Sequence, residues 1–405
     1  MNPVPKTLLI TMTPPGSRNV GEVILRDLCT LLPADRVCVF AVAGSDPEPS
    51  PYTTSRYPAP GDDPWRPAPG GLGALLNYAR VRTSFATAVR RMADVAVEFG
   101  RQERVERVWL TLNSLPLIAG GATVARRLQV PLHSLVWDPP DYLARRRLWD
   151  RASRRWLATR FAEALRCSQR VAVVSEGMAE SYAREHGARC VVLRHAVEGG
   201  PLTAEPLSSR ADEPIRIGFA GTLYEASLLD VLVHGLNAVS WRYGNRPVTL
   251  RMIGNWFRFN GLTGPCRIEL LGWQSTEETR RLLGECDLCY LPISFGADWD
   301  DFARLSFPTK LSTYLAAGRP VLVHGPTYCS AAQFCASTGC GETSTEDSAA
   351  SIMAALGRLL GDAGHYRACA AGARAACREW FSQEVMRRQF ALFLQPDDAG
   401  SPVRA

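Results

Sequence analysis

The apolar residues of this chain fall in short continuous runs that alternate with amphipathic stretches. The first run, KTLLITMT, precedes the glycine-containing segment PPGSRNVGE and then apolar residues at helical spacing, which predicts a strand, a loop and a helix. Further buried strands are predicted at RVCVFAVAG, RVWLTLNS, PLHSLVWD, RVAVVSE and CVVLRHA, with helical segments between them. Strands that alternate with helices predict a parallel sheet covered by helices on both faces.

A second cycle of the same kind begins after a segment rich in Gly, Pro, Ser and Glu between residues 197 and 214. One hydrophobic core rarely serves 405 residues, so we expect two α/β domains, at 1–197 and 198–378. A C-terminal helix at 379–396 is expected to pack back toward the first domain, and 397–405 to form a flexible tail. The proline- and glycine-rich stretch 47–71 is predicted to be a surface loop.

Composition places the chain among globular proteins, with 46% hydrophobic and 21% charged residues. The sequence has no run of eighteen apolar residues. The apolar stretch near its start is too short for a signal peptide and is flanked by too many prolines. Twelve cysteines are scattered without a disulfide framework or histidines at metal-ligand spacing. We therefore expect a cytoplasmic protein with reduced thiols and no bound metal.

Lysine usage draws attention to one position. Of the 46 basic residues only Lys6 and Lys310 are lysines, so an interior lysine is a candidate for a role that arginine does not fill. In FPTKLSTYLAAG, Pro308 suits a helix start, which places the Lys310 ammonium at the positive helix end. This placement is unfavourable unless an anion is bound. Lys310 is therefore predicted to bind phosphate, with Thr309 donating its hydroxyl and amide to the same group.

Several segments in order resemble the donor domain of glycosyltransferase family 4. They are VVSEGMAESYAREHG, VVLRHAVE, IGFAGTLYEASLLDVLVHGL, MIGN, ELLGW, CDLCYLPIS and FPTKLSTYLAAGRPVLVHGP. The resemblance covers the chain well from residue 171 onward and the first 170 residues in outline. It implies a GT-B fold, with two Rossmann-like, doubly wound parallel-sheet domains facing a central cleft. It also implies transfer of a sugar from a nucleotide-sugar co-substrate, without a further cofactor, to a hydroxyl of a saccharide, lipid-linked or small-molecule acceptor.

The candidate donor-binding residues follow from these motifs. Gly221 and Thr222 are expected to bring backbone amides to the diphosphate, although a tight turn without ligand would need the same residues. Trp273 either stacks on the nucleobase or packs in the core, and Asp298 either accepts from sugar hydroxyls or belongs to a solvated acidic loop. The full set is Gly221, Thr222, Asn255, Gly272, Trp273, Asp298, Ser306, Pro308, Thr309, Lys310 and Thr313.

The chain departs from the family's pattern in two segments. The arginine and lysine often found after the glycine turn are missing from TLYEASLLD. Family members usually carry two glutamates eight residues apart, facing the donor sugar and the ribose, and these positions fall here on Leu305 and Thr313. A retaining outcome is therefore not implied. The departure leaves open a catalytically inactive GT-B homologue that acts as a partner or activator of another glycosyltransferase, or an epimerase or phosphorylase on the same architecture.

In the first domain, residues at predicted strand ends are candidates for the acceptor side. Arg18, Asn19 and Gly21 lie in a loop that opens a helix. Asp138 closes the strand HSLVWD and is the first candidate for the general base, although an aspartate before two prolines is also a common turn starter. His133, in the same strand, is the second candidate, with a packed histidine as its alternative.

A basic segment from Arg145 to Arg170 contains nine arginines, with Trp149, Trp156 and Phe161 among them. Such a helix either lies on an anionic membrane, at the inner face of the cytoplasmic membrane, or presents a solvated basic face with its aromatic residues inward. A membrane contact would suit a lipid-linked acceptor. No nucleic-acid-binding motif accompanies the charge, so nucleic acid is not an expected partner.

Overall fold

A computed structural model of the chain describes residues 4–44, 46–60, 71–147, 149–203, 213–223, 226–254, 257, 259 and 265–395. The chain forms two compact units. The first comprises residues 1–193 together with 387–405, and the second comprises residues 194–386. The predicted tail at 397–405 lies outside the described residues.

The first unit is built on a seven-stranded, fully parallel sheet. Its strands are β1 (Thr7–Thr11), β2 (Val37–Val42), β3 (Thr53–Tyr57), β4 (Arg107–Thr111), β5 (Leu132–Leu135), β6 (Ser168–Val173) and β7 (Cys190–Val192). Their spatial order is β3-β2-β1-β4-β5-β6-β7, so the order reverses between β1 and β4. The central strands β1, β2 and β4 are buried along their whole length, as their continuous apolar runs predict.

Helices connect these strands. They are α1 (Val20–Cys29), α2 (Gly71–Arg80), α3 (Ala86–Gln102), α4 (Leu115–Leu128), α5 (Pro140–Arg146), α6 (Arg151–Cys167) and α7 (Glu176–His186). A π-helical turn, 81–85, joins α2 to α3. Local signals fix the ends of α7, where the Ser175 side chain accepts from the Met178 amide and Gly187 adopts a left-handed conformation with φ of 65°.

The second unit repeats this architecture. Its strands are β8 (Ile215–Ala220), β9 (Arg242–Tyr243), β10 (Arg246–Ile253), β11 (Ile268–Leu270), β12 (Leu288–Pro292), β13 (Val321–His324) and β14 (Gly341–Ser344). Six of them form a parallel sheet in the order β11-β10-β8-β12-β13-β14, and the short β9 pairs antiparallel with β10. Both units therefore have the strand order of a doubly wound nucleotide-binding sheet.

The helices of the second unit are α8 (Ala226–Ala238), α9 (Thr276–Gly284), α10 (Asp300–Leu305), α11 (Thr309–Ala316), α12 (Ser330–Thr338), α13 (Ala349–Gly361) and α14 (Ala363–Trp380). Two apolar clusters join them to the sheet, one containing residues of α11, α12 and α14 and the other residues of α8, α13 and α14. Among the described residues, no helix of either unit combines the length and apolarity needed to cross a bilayer.

The last helix, α15 (Gln383–Leu394), ends in the first unit. Its Phe390 and Phe393 rings lie 5.2 and 6.2 Å from the Trp109 ring. The buried Arg107 guanidinium donates to the Leu394 carbonyl at 2.8 Å. The chain thus crosses from the first unit to the second and returns, and its C-terminal helix completes the core of the first.

One predicted loop is wrong in part. Within 47–71, residues Thr53–Tyr57 form β3, which pairs in parallel with β2 at the edge of the sheet. The sequence TTSRY is polar and mostly exposed or half-buried, because only one side of an edge strand is hydrogen-bonded and its faces are open to solvent. Periodicity therefore gave no signal for it.

Candidate functional site

In the second unit, the strand order reverses between β8 and β12. Parallel sheets of this kind bind ligands beyond the carboxyl ends of their strands at such a reversal. Glycines follow three of these strand ends: Gly221 after β8, Gly254 after β10 and Gly272 after β11. All three have positive φ angles, of 94°, 137° and 65°.

Hydrogen bonds hold these glycine turns together. The Gly221 amide donates to the Ile253 carbonyl at 2.8 Å, and the Gly254 amide donates to the Gly272 carbonyl at 2.7 Å. A Cβ on Gly254 would lie 2.9 Å from the Gly221 carbonyl oxygen, so the close approach requires glycine. The expectation that the Gly221 amide faces a diphosphate is corrected, because that amide is already bonded to β10. Thr222 is exposed beside it.

Lys310 lies at the same edge. It is the second residue of α11, and its side chain is half-buried, with Nζ 5.6 Å from the centroid of the Phe219 ring. A Cβ on Gly221 would lie 3.1 Å from Lys310 Cε, so the glycine makes room for the lysine stem. Burial lowers the pKa of the Lys310 ammonium from 10.5 to about 8. The site is therefore poised to gain from a bound anion.

Tyr314 fixes this arrangement and was missed by sequence reasoning. It lies one turn after Lys310 on α11 and is fully buried. Its hydroxyl accepts from the Ala220 amide at 3.0 Å, at the end of β8. The bond ties the helix that carries Lys310 to the strand that leads into Gly221. The only sequence signal was the four-residue spacing from the lysine.

The start of α11 has no side-chain cap, because the preceding residue is Pro308. Thr309 is exposed at the first helical position, and Thr313 is half-buried one turn later, on the same face as Lys310. Ser306 is buried just before the helix, and its carbonyl accepts from the Ser330 hydroxyl. The structure thus brings Pro308, Thr309 and Thr313 to the site of Lys310, and Ser306 supports the loop.

The remaining donor-site candidates have varied surroundings. Trp273 is 74% exposed, which excludes the core-packing alternative and leaves its ring open to a ligand. Gly272 belongs to the linked glycine turns. Asp298 is exposed in a short 3-10 turn, 297–299, before α10. Asn255 lies outside the described residues, whereas its neighbour Gly254, which the sequence reasoning did not select, belongs to the centre of the site.

The first unit has a polar cluster at its own reversal of strand order, at the ends of β1 and β4. The Thr111 hydroxyl bonds to the Thr11 hydroxyl at 3.0 Å and to Asn113 Oδ1 at 3.1 Å, and Asn113 Nδ2 donates to the Thr13 hydroxyl at 3.2 Å. These residues were also missed, because threonines at strand ends carry no distinctive pattern. They are the first unit's counterpart of the glycine site.

The predicted acceptor-side residues have clear structural partners. Asn19 caps α1 by accepting from the Glu22 amide at 3.0 Å, and Arg18 forms an ion pair with Glu48 at 3.2 Å. A Cβ on Gly21 would lie 3.2 Å from the Trp137 ring, so this glycine lies beside the end of β5. Asp138, the next residue after Trp137, is half-buried. The structure thus places Gly21 against the Trp137 ring, and the contacts of Arg18 and Asn19 shape the loop.

The second candidate for the general base, His133, is wrong. Its side chain is 1% exposed, and its Nδ1 is 2.7 Å from the Phe393 carbonyl oxygen on α15. The Phe393 ring packs edge-on against the imidazole at 5.6 Å. His133 is therefore a core residue that holds the C-terminal helix, and a substrate has no access to it.

Comparison with proteins of known structure identifies the fold of the chain. No protein-family model and no curated protein sequence matches the chain. Sucrose-phosphate synthase from Thermosynechococcus elongatus superposes with a TM-score of 0.66 at 13% identity, covering 95% of this chain and 97% of that one. Anabaena HepE in complex with UDP and glucose superposes with a TM-score of 0.61 at 15% identity, covering 96% and 99%. WaaG, a glycosyltransferase involved in lipopolysaccharide biosynthesis, gives 0.61 at 12% identity, covering 96% and 99%.

These matches span nearly the whole of this chain and of each neighbour, and both units have the parallel α/β sheets of that architecture. The chain has the GT-B fold of glycosyltransferases. The fold class predicted from the sequence is confirmed.

Proposed function

We propose that the protein is a glycosyltransferase that binds a nucleotide-sugar at the strand ends of its second unit. The observation that carries the proposal is Lys310. A half-buried ammonium at the start of a helix, with a lowered pKa, lies against the glycine turn at the reversal of strand order. The two phosphates of a nucleotide-sugar carry the negative charge that an ammonium and the amino end of a helix both attract. Structural neighbours solved with UDP and UDP-glucose support a donor of this kind.

In the proposed reaction, the acceptor hydroxyl forms a new bond to the anomeric carbon of the donor sugar, and the bond from that carbon to the diphosphate breaks. The nucleoside diphosphate leaves, and Lys310 together with the open amino end of α11 stabilises its negative charge. Thr309 and Thr313 provide hydroxyls on the same helix, and Trp273 offers an exposed ring for the base. These residues act through charge and hydrogen bonding, without a metal.

We place the acceptor at the strand ends of the first unit, with Asp138 as the general base that takes the proton of the attacking hydroxyl. Asp138 is half-buried and follows Trp137, whose ring lies beside Gly21. The acceptor is a saccharide, a lipid-linked molecule or a small molecule, and the cytoplasm is the proposed location. Asp138→Asn keeps the shape of the side chain and is expected to lower turnover by about 10²–10⁴-fold with little effect on donor binding.

A second candidate is a partner or activator of another glycosyltransferase that has lost transfer. It is favoured by Leu305 and Thr313, which occupy the positions where the resembled family carries its two glutamates. Such a protein would keep the fold without needing Lys310 for turnover. The two candidates differ in whether a nucleotide binds and whether sugar is transferred.

The test is a thermal-shift screen of UDP, GDP, dTDP and CMP and their common sugars on the purified chain, with Lys310→Ala in parallel. Lys6→Ala is the matched control, because Lys6 is the only other lysine and pairs with Glu103 on the first unit. A ligand that binds only the folded state raises the melting temperature. We expect one nucleotide class to stabilise the wild type and the Lys6 variant but not the Lys310 variant.

Sugar transfer is then measured with the donor that binds. Cell-extract fractions, separated by polarity, are offered as the source of acceptors. A wild-type shift that Lys310→Ala retains would remove Lys310 from the site. Absence of any shift at millimolar concentrations would overturn donor binding and favour the partner protein. Nucleotide binding without transfer to any fraction would support a binding role for the fold.

A further inference from the structure

Helix α2 turns its apolar side chains away from the protein. Leu72, Leu75 and Leu76 are 71%, 62% and 49% exposed, and their spacing places them on one face. Asn77, on the opposite face, is buried and donates to Asp150 Oδ2 at 3.0 Å. Helices on the surface of a globular protein normally bury such an apolar stripe. We call these three residues the leucine stripe.

A basic surface pocket adjoins the end of this helix. Its volume is about 480 Å³, and its charged lining consists of four arginines and one glutamate: Arg82, Arg151, Arg155, Arg160 and Glu163. Arg82 connects the pocket to α2, because its guanidinium lies 5.2 Å from the Tyr78 ring and 5.3 Å from the Trp156 ring. We call this feature the arginine pocket.

The charge of the pocket is poorly compensated. Arg160 forms an ion pair with Glu163 at 2.8 Å. Within the part of the chain that the structure describes, no carboxylate lies within ion-pair distance of the exposed Arg151 or Arg155. By contrast, Arg154 on the same helix pairs with Asp141 at 3.1 Å. The pocket therefore presents at least two guanidinium groups that are available to an external anion.

We propose that the leucine stripe and the arginine pocket together form a docking surface for a membrane that contains anionic phospholipids. A bilayer offers acyl chains below a layer of phosphates. This surface offers exposed leucines on α2 and, beyond the end of that helix, the guanidinium groups of the arginine pocket. Trp156, on the pocket wall, has the amphipathic character that suits the level of the headgroups. Charge complementarity to lipid phosphates favours a membrane over a protein partner, and the leucines favour it over a nucleic acid.

The proposal is independent of sugar transfer, because it involves only residues of α2, α6 and the π-helical turn 81–85 of the first unit. It also limits the membrane contact expected from the basic segment 145–170 to the residues of that segment that line the arginine pocket. Two of the segment's aromatic residues pack against the protein: Trp149 meets the Phe85 ring edge-on at 5.2 Å, and Phe161 is buried. In this proposal, the apolar residues that face the lipid belong to α2, which lies earlier in the sequence than the basic segment.

The experiment is flotation of the purified full chain with vesicles of phosphatidylcholine alone and of an equimolar mixture with phosphatidylglycerol. We expect binding to the mixed vesicles only. Arg151→Glu combined with Arg155→Glu is expected to weaken binding by more than about 25-fold, because each arginine at an anionic surface contributes about fivefold and each new carboxylate is repelled. Replacing all three leucines of the stripe by serine is expected to weaken it by about tenfold or more.

A matched control carries the same change of charge elsewhere, in Arg367→Glu combined with Arg378→Glu on α14 of the second unit, where both side chains are exposed. This control is expected to float like the wild type. Equal losses in control and pocket variants would show attraction by net charge alone and overturn the proposal. The proposal would also be overturned by a wild type that binds inorganic phosphate at the pocket but no vesicles, by a wild type that binds neither, or by a leucine variant that floats like the wild type.

Discussion

Replacing Lys310 by methionine should stabilise the ligand-free protein. Burial lowers the pKa of Lys310 from 10.5 to about 8, and each tenfold change in ionisation is worth about 1.4 kcal/mol. Keeping the ammonium charged at neutral pH would thus cost about 3 kcal/mol if the group were fully dry. The side chain retains part of its hydration, so we expect methionine to recover about 1–3 kcal/mol. For a domain of this size, that raises the melting temperature by about 2–10 °C.

The pH dependence gives a second measure of the same effect. The folded-state pKa lies below the unfolded value, so the destabilisation by Lys310 is fully present below pH 8. It disappears as the pH rises from about 8 toward 10.5, because the unfolded chain then binds more protons than the folded one. The advantage of Lys310→Met over the wild type should shrink across this interval.

Differential scanning calorimetry of the two proteins from pH 7 to pH 10 measures this effect. Lys6→Met is the control, because Lys6 makes a partly exposed ion pair with Glu103 at 2.7 Å and its loss should lower stability by about 0–1 kcal/mol. The methionine variant should also lose the nucleotide-induced shift. A Lys310→Met protein less stable than wild type at pH 7 would refute the reasoning, since the ammonium would then be held by native contacts that outweigh its desolvation.

Three further outcomes are expected from the same site. When a nucleotide binds at pH 8, Lys310 should take up as much as about half a proton, and the affinity for the nucleotide should fall as the pH rises above 8. Titration calorimetry in buffers of different ionisation enthalpy measures both effects. Tyr314→Phe should lower the free energy of unfolding, measured with urea, by about 1–3 kcal/mol, because the Ala220 amide loses its partner. The variant should also bind nucleotide more weakly, and unchanged affinity would show that Tyr314 does not position the site. Gly221→Ala should cost about 1–3 kcal/mol, because φ is 94° and the new methyl meets Lys310 Cε, and unaltered stability would contradict this.

The sequence predicted the fold better than the site. Continuous apolar strands and amphipathic helices are local signals, so the two alternating halves could be identified directly. The polar strand β3 gave no such signal. His133 was misassigned because its partner, the Phe393 carbonyl, is 260 residues away in sequence. No local pattern contains such a contact.

Within the candidate site, Lys310 could be selected from the sequence because lysine is rare in this chain and opens a predicted helix, whereas the residues that support it could not. Tyr314 is an ordinary helical tyrosine until the structure shows its hydroxyl at the Ala220 amide. Gly254 is one of 33 glycines, and only its φ of 137° and its proximity to the Gly221 carbonyl distinguish it. The three strand ends meet only in the folded sheet, so the sequence alone does not show which glycines lie together.

Two features of the folded chain depart from ordinary folding preferences, and each suits a different kind of ligand. Lys310 is a desolvated cation at the positive end of a helix, where an anion of compact charge, such as a diphosphate, would bind favourably. The leucine stripe exposes apolar area that a diphosphate does not cover but an anionic bilayer does. Local conflicts with the rules of folding tend to mark functional sites. Since the two features lie in different units and call for different chemistry, a protein that uses both would bring a soluble donor to a membrane surface, which favours the lipid-linked class among the proposed acceptors.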